Sequence, residues 1–112
     1  MRSWDLTSLE APTPVVVHSE DDARAILISL QAGGELGDHQ VRERAWVTVV
    51  EGEAEIGCGG ETGVYGPGAL LMFDPAERHS VRTANGARIL LVLAPWPADG
   101  HYVDGELRRE AG

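Results

Sequence analysis

GGELGDHQVRERAWVTVVEG, running from Gly33 to Gly52, sets the reading of the whole chain. Two glycines open it and His39 follows. Trp46-Val47-Thr48-Val49-Val50 is then an unbroken run of β-branched and aromatic residues, ended by Glu51-Gly52-Glu53. Such a run between glycine breaks reads as a strand, because branched side chains pack well on a pleated surface. The rhythm continues in both directions. Upstream, Val15-Val16-Val17 and Ala25 to Leu30 predict strands, and Gly33, Gly34 and Gly37 break the second. Downstream, Ala54-Glu55-Ile56 predicts the hairpin partner of 46–50, and Gly57, Gly59, Gly60 and Gly63 predict a loose turn. Ala69 to Phe73, His79 to Thr83 and Arg88 to Ala94 complete the series, with Asn85-Gly86 predicting a tight hairpin before the last. The expected fold class is all-β, in one domain over 1–112.

Composition removes several functions. The 112 residues carry 18 acids against 9 basic residues, all Arg, for a formal charge of -9. A nucleic-acid groove needs a basic stripe, and an anionic membrane surface attracts basic segments, so neither partner is expected. The absence of Lys excludes Schiff-base catalysis and P-loop phosphate binding. A single cysteine, Cys58, allows no intrachain disulfide. The longest apolar run, Ile89 to Trp96, is interrupted by Pro95 and is far too short to span a bilayer. No apolar stretch follows Met1, so a cytoplasmic protein is expected. The runs 69–73 and 89–94 are apolar on both faces, which calls for a second sheet or a partner chain against them.

The glycines and histidines fall at a definite spacing. Gly33 is followed after five residues by His39, then Gln40, Val41, three residues, Ala45, six residues and Gly52. Gly68 is followed after five residues by Asp74-Pro75-Ala76, two residues, His79, three residues and Thr83. These two stretches resemble the paired motifs of the cupin superfamily, of the small, single-domain, type-2 conserved-barrel kind. The resemblance covers 33–52 and 68–83, nearly half the chain. It implies a double-stranded β-helix, a jelly-roll barrel; the tail over 96–112 is polar and acidic by its own residues, and 103–111 within it reads as one or two helical turns.

The departures from the motifs bear on chemistry. The resemblance implies a metal held by three His and one Glu, yet only His39 and His79 fall at matching positions. Val41 stands in place of a His and Ala45 in place of the Glu, and neither can ligate a metal. Asp74 and Ala76 replace the Pro and Gly of the second motif, with Pro75 shifted by one, and Thr83 replaces Asn. A divalent metal (Fe, Zn, Ni or Mn) then needs a third donor, for which Glu43 is the first candidate, at the tip of a turn near the barrel mouth. Asp74, Glu77 and His101 follow, Glu77 sharing a face with His79 if that stretch is extended. His18 is expected in an exposed loop, and Arg78 is expected to face solvent.

The interior expected from the resemblance is an apolar pocket lined by His39, Val41, Ala45, Val47 and His79, with Met72 or Phe73. Alternation then turns Trp46 outwards, towards the partner of a homodimer. Trp96, between two prolines, terminates the last strand and anchors it. The leading expectation is a protein that binds an unknown small molecule and has a reduced metal site. One alternative is a metal-dependent dioxygenase or isomerase using His39, His79 and Glu43. Another is a metal-free enzyme with a histidine base, or a structural dimer.

Overall fold

The computed structural model describes residues 1–12 and 14–98, apart from the side chains of Asp38 and His39. The helical turn expected in the tail, and His101, lie outside the described residues. Among the described residues nine strands are formed: β1 (Val15–Ser19), β2 (Arg24–Leu30), β3 (Glu35–His39), β4 (Arg44–Gly52), β5 (Ala54–Cys58), β6 (Glu61–Tyr65), β7 (Leu70–Phe73), β8 (His79–Arg82) and β9 (Ala87–Ala94). They make two antiparallel sheets. Sheet A has the order β1-β2-β9-β4-β7 and sheet B the order β3-β8-β5-β6.

The core lies between the sheets and follows from alternation along the two longest strands. Ala45, Val47 and Val49 of β4 are buried, in register with Leu93, Leu91 and Ile89 of β9. Ile26 and Ile28 of β2 continue this layer, and Ile56 and Val81 of sheet B meet it. Trp46, Leu70 and Met72 point away from the core and remain exposed. Phe73 is therefore the residue of the Met72-Phe73 pair that faces inwards.

The outer face of sheet A is not bare throughout. Leu27 is fully buried although it lies outside the interior cluster. The N-terminal segment is tied down on that side, where Arg88 donates hydrogen bonds to the carbonyls of Leu6 and Leu9. Ala11 is buried with it. His18 belongs to the edge strand β1, not to a loop, and its ring lies 5.7 Å from that of Trp4.

Two expected hairpins are instead corners. β4 and β5 follow one another but lie in different sheets, as do β8 and β9. The chain crosses the core's edge at both points because Gly52 and Gly86 adopt φ of +74° and +106°. A Cβ on Gly52 would stand 2.2 Å from the Gly86 carbonyl oxygen, so the corners are packed against each other. Thr83 fastens them: its hydroxyl donates to the Glu53 carbonyl at 2.7 Å and accepts the Gly86 N–H at 3.0 Å.

Two strands went unread in the sequence. β3 contains Gly37 and β6 contains Gly63, and both residues weaken an apolar pattern. The glycine-rich stretch from Gly57 to Gly63 is a tight hairpin in which only Gly59 and Gly60 turn. Their φ values of +60° and +86° suit the two-residue loop that matches strand twist.

Candidate functional site

The strand register gathers the reactive residue types at one end of the barrel. His39 of β3 pairs with His79 of β8, His79 pairs with Cys58 of β5, and Cys58 pairs with Glu61 of β6. Directly opposed residues share a face of a sheet. Ile56 and Val81, two residues along from Cys58 and His79, sit in the core, so positions 58 and 79 belong to the inward face.

His79 is held from two sides. It is 3% exposed, and its ring stacks on Phe73 across the gap between the sheets, at 4.1 Å and 9°. Its Nδ1 lies 3.3 Å from the Glu77 carbonyl oxygen. The Glu77 carboxylate closes the preceding turn, accepting the Asp74 N–H at 2.8 Å on one oxygen and the Cys58 thiol at 3.1 Å on the other. Residues 74–77 thus form a turn and not the extended stretch that would put Glu77 and His79 on one face by alternation. Ala76 takes a left-handed φ of +66° and donates its N–H to the Val41 carbonyl at 2.7 Å. The glycine of the second motif matches this position because a Cβ is disfavoured there.

Electrostatics at Cys58 follow from the same contacts. Its hydrogen bond to Glu77 pushes the thiol up to about 11, helped by burial and by the charges of Glu77, Glu61 and Asp74. The thiol is a donor here and not a nucleophile. In return, the Cys58 thiol and then the Asp74 N–H hold the Glu77 carboxyl below the usual carboxylate range.

Glu43 occupies the same end but is no exposed turn tip. It is fully buried just before β4, and its Oε2 accepts the Ala98 N–H at 3.0 Å. The chain after β9 is therefore folded back over this end of the barrel. Trp96 is buried in the core cluster there, with the Arg24 guanidinium 4.1 Å above its ring. Among the described side chains, which exclude His39, no three His, Cys, Asp or Glu residues come together as a metal-binding group.

Of the residues expected to line an apolar pocket, Ala45 and Val47 are closed into the core and Val41 packs against it. A cavity of about 420 Å³ opens instead along the seam between the edge strands β6 and β7. Ile56, Leu71 and Phe73 form its apolar wall, and Cys58, Glu61 and Tyr65 give it polar groups. Gly63 makes room for the Tyr65 phenol, since a Cβ there would lie 2.7 Å from the hydroxyl. Phe73 connects this cavity to His79. Glu61 and Tyr65 were not foreseen as site residues, and Cys58 was not placed. The readable signal was Gly59-Gly60: taken as a two-residue hairpin loop, it sets Cys58 opposite Glu61.

The description "Cupin domain" belongs to the family model that matches residues 26–93, which span β2 to β9. The chain belongs to this family. A curated relative of this cupin, L-ectoine synthase of Thermobifida fusca (strain YX), is 37% identical over 79 residues, 69% of the chain. The match covers 58% of that enzyme's length, so the chain spans little more than half of it. Among solved structures, TT1209 from Thermus thermophilus is 26% identical with a TM-score of 0.75, over 85% of this chain and 98% of that one. An uncharacterized conserved protein from Klebsiella pneumoniae, with a double-stranded β-helix domain, has a TM-score of 0.75 at 20% identity, over 88% and 93%. KdgF from Halomonas sp. has a TM-score of 0.68 at 19% identity, over 73% and 78%. The last two likenesses are of fold. The cupin barrel expected from the spacing of Gly33, His39, Gly52, Gly68 and His79 is thus the observed one. Among the described residues of this cupin, no helix is long and apolar enough to cross a membrane.

Proposed function

We propose that this cupin binds a small organic molecule at the end of the barrel that carries His79, with the molecule's body in the seam cavity. One observation carries the reading: the cavity is large enough for such a ligand and joins an apolar wall to hydrogen-bonding groups. Phe73, shared between the cavity wall and the stack on His79, links ligand contact to the imidazole. The likeness to an enzyme named for a small-molecule product supports the reading. A thermal-shift screen of a metabolite library tests it. A hit with wild-type protein that disappears in Leu71→Trp, which fills the cavity, is expected. A hit unaffected by that substitution, or no hit at all, would sink the proposal.

A second reading is a metal-dependent enzyme of the dioxygenase or isomerase type. It is favoured by the burial of Glu43, a carboxylate enclosed at the same end as His79. Two histidines, His39 and His79, and one carboxylate, Glu43, form a donor set that suits iron and related divalent metals. Such a metal would supply Lewis-acid or oxygen-activating chemistry when bound. Metal analysis of tag-free protein beside the double variant His39→Ala/His79→Ala decides it. Near-stoichiometric Fe, Zn, Ni or Mn that the variant loses supports this reading, and metal retained by the variant removes it. The homodimer expected from the sequence would use the outer face that carries Trp46, Leu70 and Met72, and the solution mass of Trp46→Lys against wild type tests it.

A further inference from the structure

The seam cavity has a charge character that narrows its ligand, and this step rests on the small-molecule reading above. Of the described residues that line it, Glu61 alone carries a carboxylate or a basic group. Glu61 is set on the inward side by its pairing with Cys58, at the mouth of the cavity. One hydrogen bond behind the wall lies Glu77, whose carboxylate is satisfied by a thiol and a backbone N–H, both neutral donors. Among the described residues, no arginine lines the cavity itself. Arg44 is paired with Asp74 at 2.8 Å, and Arg78 lines an adjoining depression that shares Cys58, Glu61 and Thr62 with the cavity. Phe73 of β7 and Tyr65 of β6 also line the cavity, and aromatic rings attract cations through their quadrupole.

We propose that the seam cavity takes a small organic cation, an amine or a quaternary ammonium, with its charge at Glu61 and its apolar body against Ile56, Leu71 and Phe73. The cavity makes the site, and the carboxylate chooses among the ligands that fit it. An anionic ligand of the same shape would meet Glu61 directly and Glu77 behind it. The chain's overall charge of -9 acts in the same direction on encounter.

Three probes of one shape separate the outcomes: choline, its neutral isostere 3,3-dimethylbutan-1-ol, and the anion 3,3-dimethylbutanoate. Binding to the tag-free full chain is followed by titration in NMR at low salt. The expected order is cation, neutral, anion, with choline at least tenfold tighter than the alcohol. Glu61→Gln is expected to remove most of that tenfold while leaving the alcohol unchanged, and Leu71→Trp to abolish both. Since Glu61 sits exposed at a strand end, its substitution leaves the fold intact, which the unchanged alcohol affinity checks. Equal binding of the three probes, lost in Leu71→Trp, would overturn the cation class and leave the cavity reading standing. Failure of all three beside a neutral or anionic library hit that Leu71→Trp removes would do the same. Failure of all three together with an empty library screen would overturn both.

Discussion

Sheet A and sheet B are built from the same kind of strand and do different work. Sheet A is long-stranded and filled by Val, Ile and Leu, and its β4–β9 ladder forms the floor of the core. Sheet B is shorter, contains Gly37, Gly57 and Gly63, and ends in the row of positions 39, 79, 58 and 61. The difference teaches a division of labour. Burial of apolar area in one sheet supplies stability, so the facing sheet can carry polar groups at its end without being asked to hold the fold together. Phe73 stacked on His79 is where the two roles touch.

The sharpest way to break this picture is to attack the joint between the sheets. Gly52→Ala puts a Cβ against the Gly86 carbonyl at a left-handed backbone position. A loss on the order of 4 kcal/mol, or failure to fold, is expected from combined clash and strain. Chemical denaturation measures it, and a cost near zero would show the corners to be loose. Within sheet A, Ile89→Ala is expected to cost about 3 kcal/mol as a buried-core truncation. Thr62→Ala, on an exposed position of sheet B, should cost about 0.5 kcal/mol or less. Equal costs at the two sites would erase the division of labour.

Reactivity at the end of sheet B comes next in size. With its thiol pushed up to about 11, Cys58 should alkylate slowly at pH 8, its rate still rising beyond pH 9. Glu77→Gln removes the charge and should speed the reaction roughly tenfold. A wild-type rate that levels off near pH 9 would contradict the Cys58–Glu77 contact. The sign for stability is the same: a raised thiol value means this contribution is complete below the ordinary thiol value of 9.0 and fades as pH climbs towards about 11. Glu77 works in reverse. Its lowered value gives stability that is present above the ordinary carboxylate value and lost as the pH falls through the lowered one. One substitution should give a gain. Ala76→Gly should stabilise by up to about 1 kcal/mol, because the left-handed conformation then costs no Cβ clash, offset in part by a freer unfolded chain. A loss on this substitution would mean the Ala76 methyl packs usefully.

What could be read in advance divides along the same line. The strands of sheet A announce themselves through Trp46 to Val50 and Arg88 to Ala94, where alternation and branching agree. The inward turn of Ala45 and Val47 and the outward turn of Trp46 follow once the motif resemblance sets Ala45 inside. Sheet B hides because β3 and β6 hold glycine and charge where a strand pattern needs apolar residues. The corners at Gly52 and Gly86 read as hairpins because local turn chemistry does not say which sheet the next strand joins. The site was legible in part. Spacing located His79, whereas the burial of Glu43 depends on the returning chain at Ala98, and the place of Glu61 depends on a register no local pattern contains.

The pairing of β2 with β9 and of β3 with β8 also dictates when the molecule comes into being. As the chain leaves the ribosome, β3 waits for β8 before its edge is paired, and the middle of sheet A stays open until β9 emerges. Few early contacts compensate the entropy of closing those loops, so slow, late and cooperative folding is expected. Positions 39 and 79 come together within the same event that closes the barrel. A partly synthesised chain therefore exposes unpaired strands but no half-formed candidate site, and the proposed ligand binding would begin only with completion of the fold.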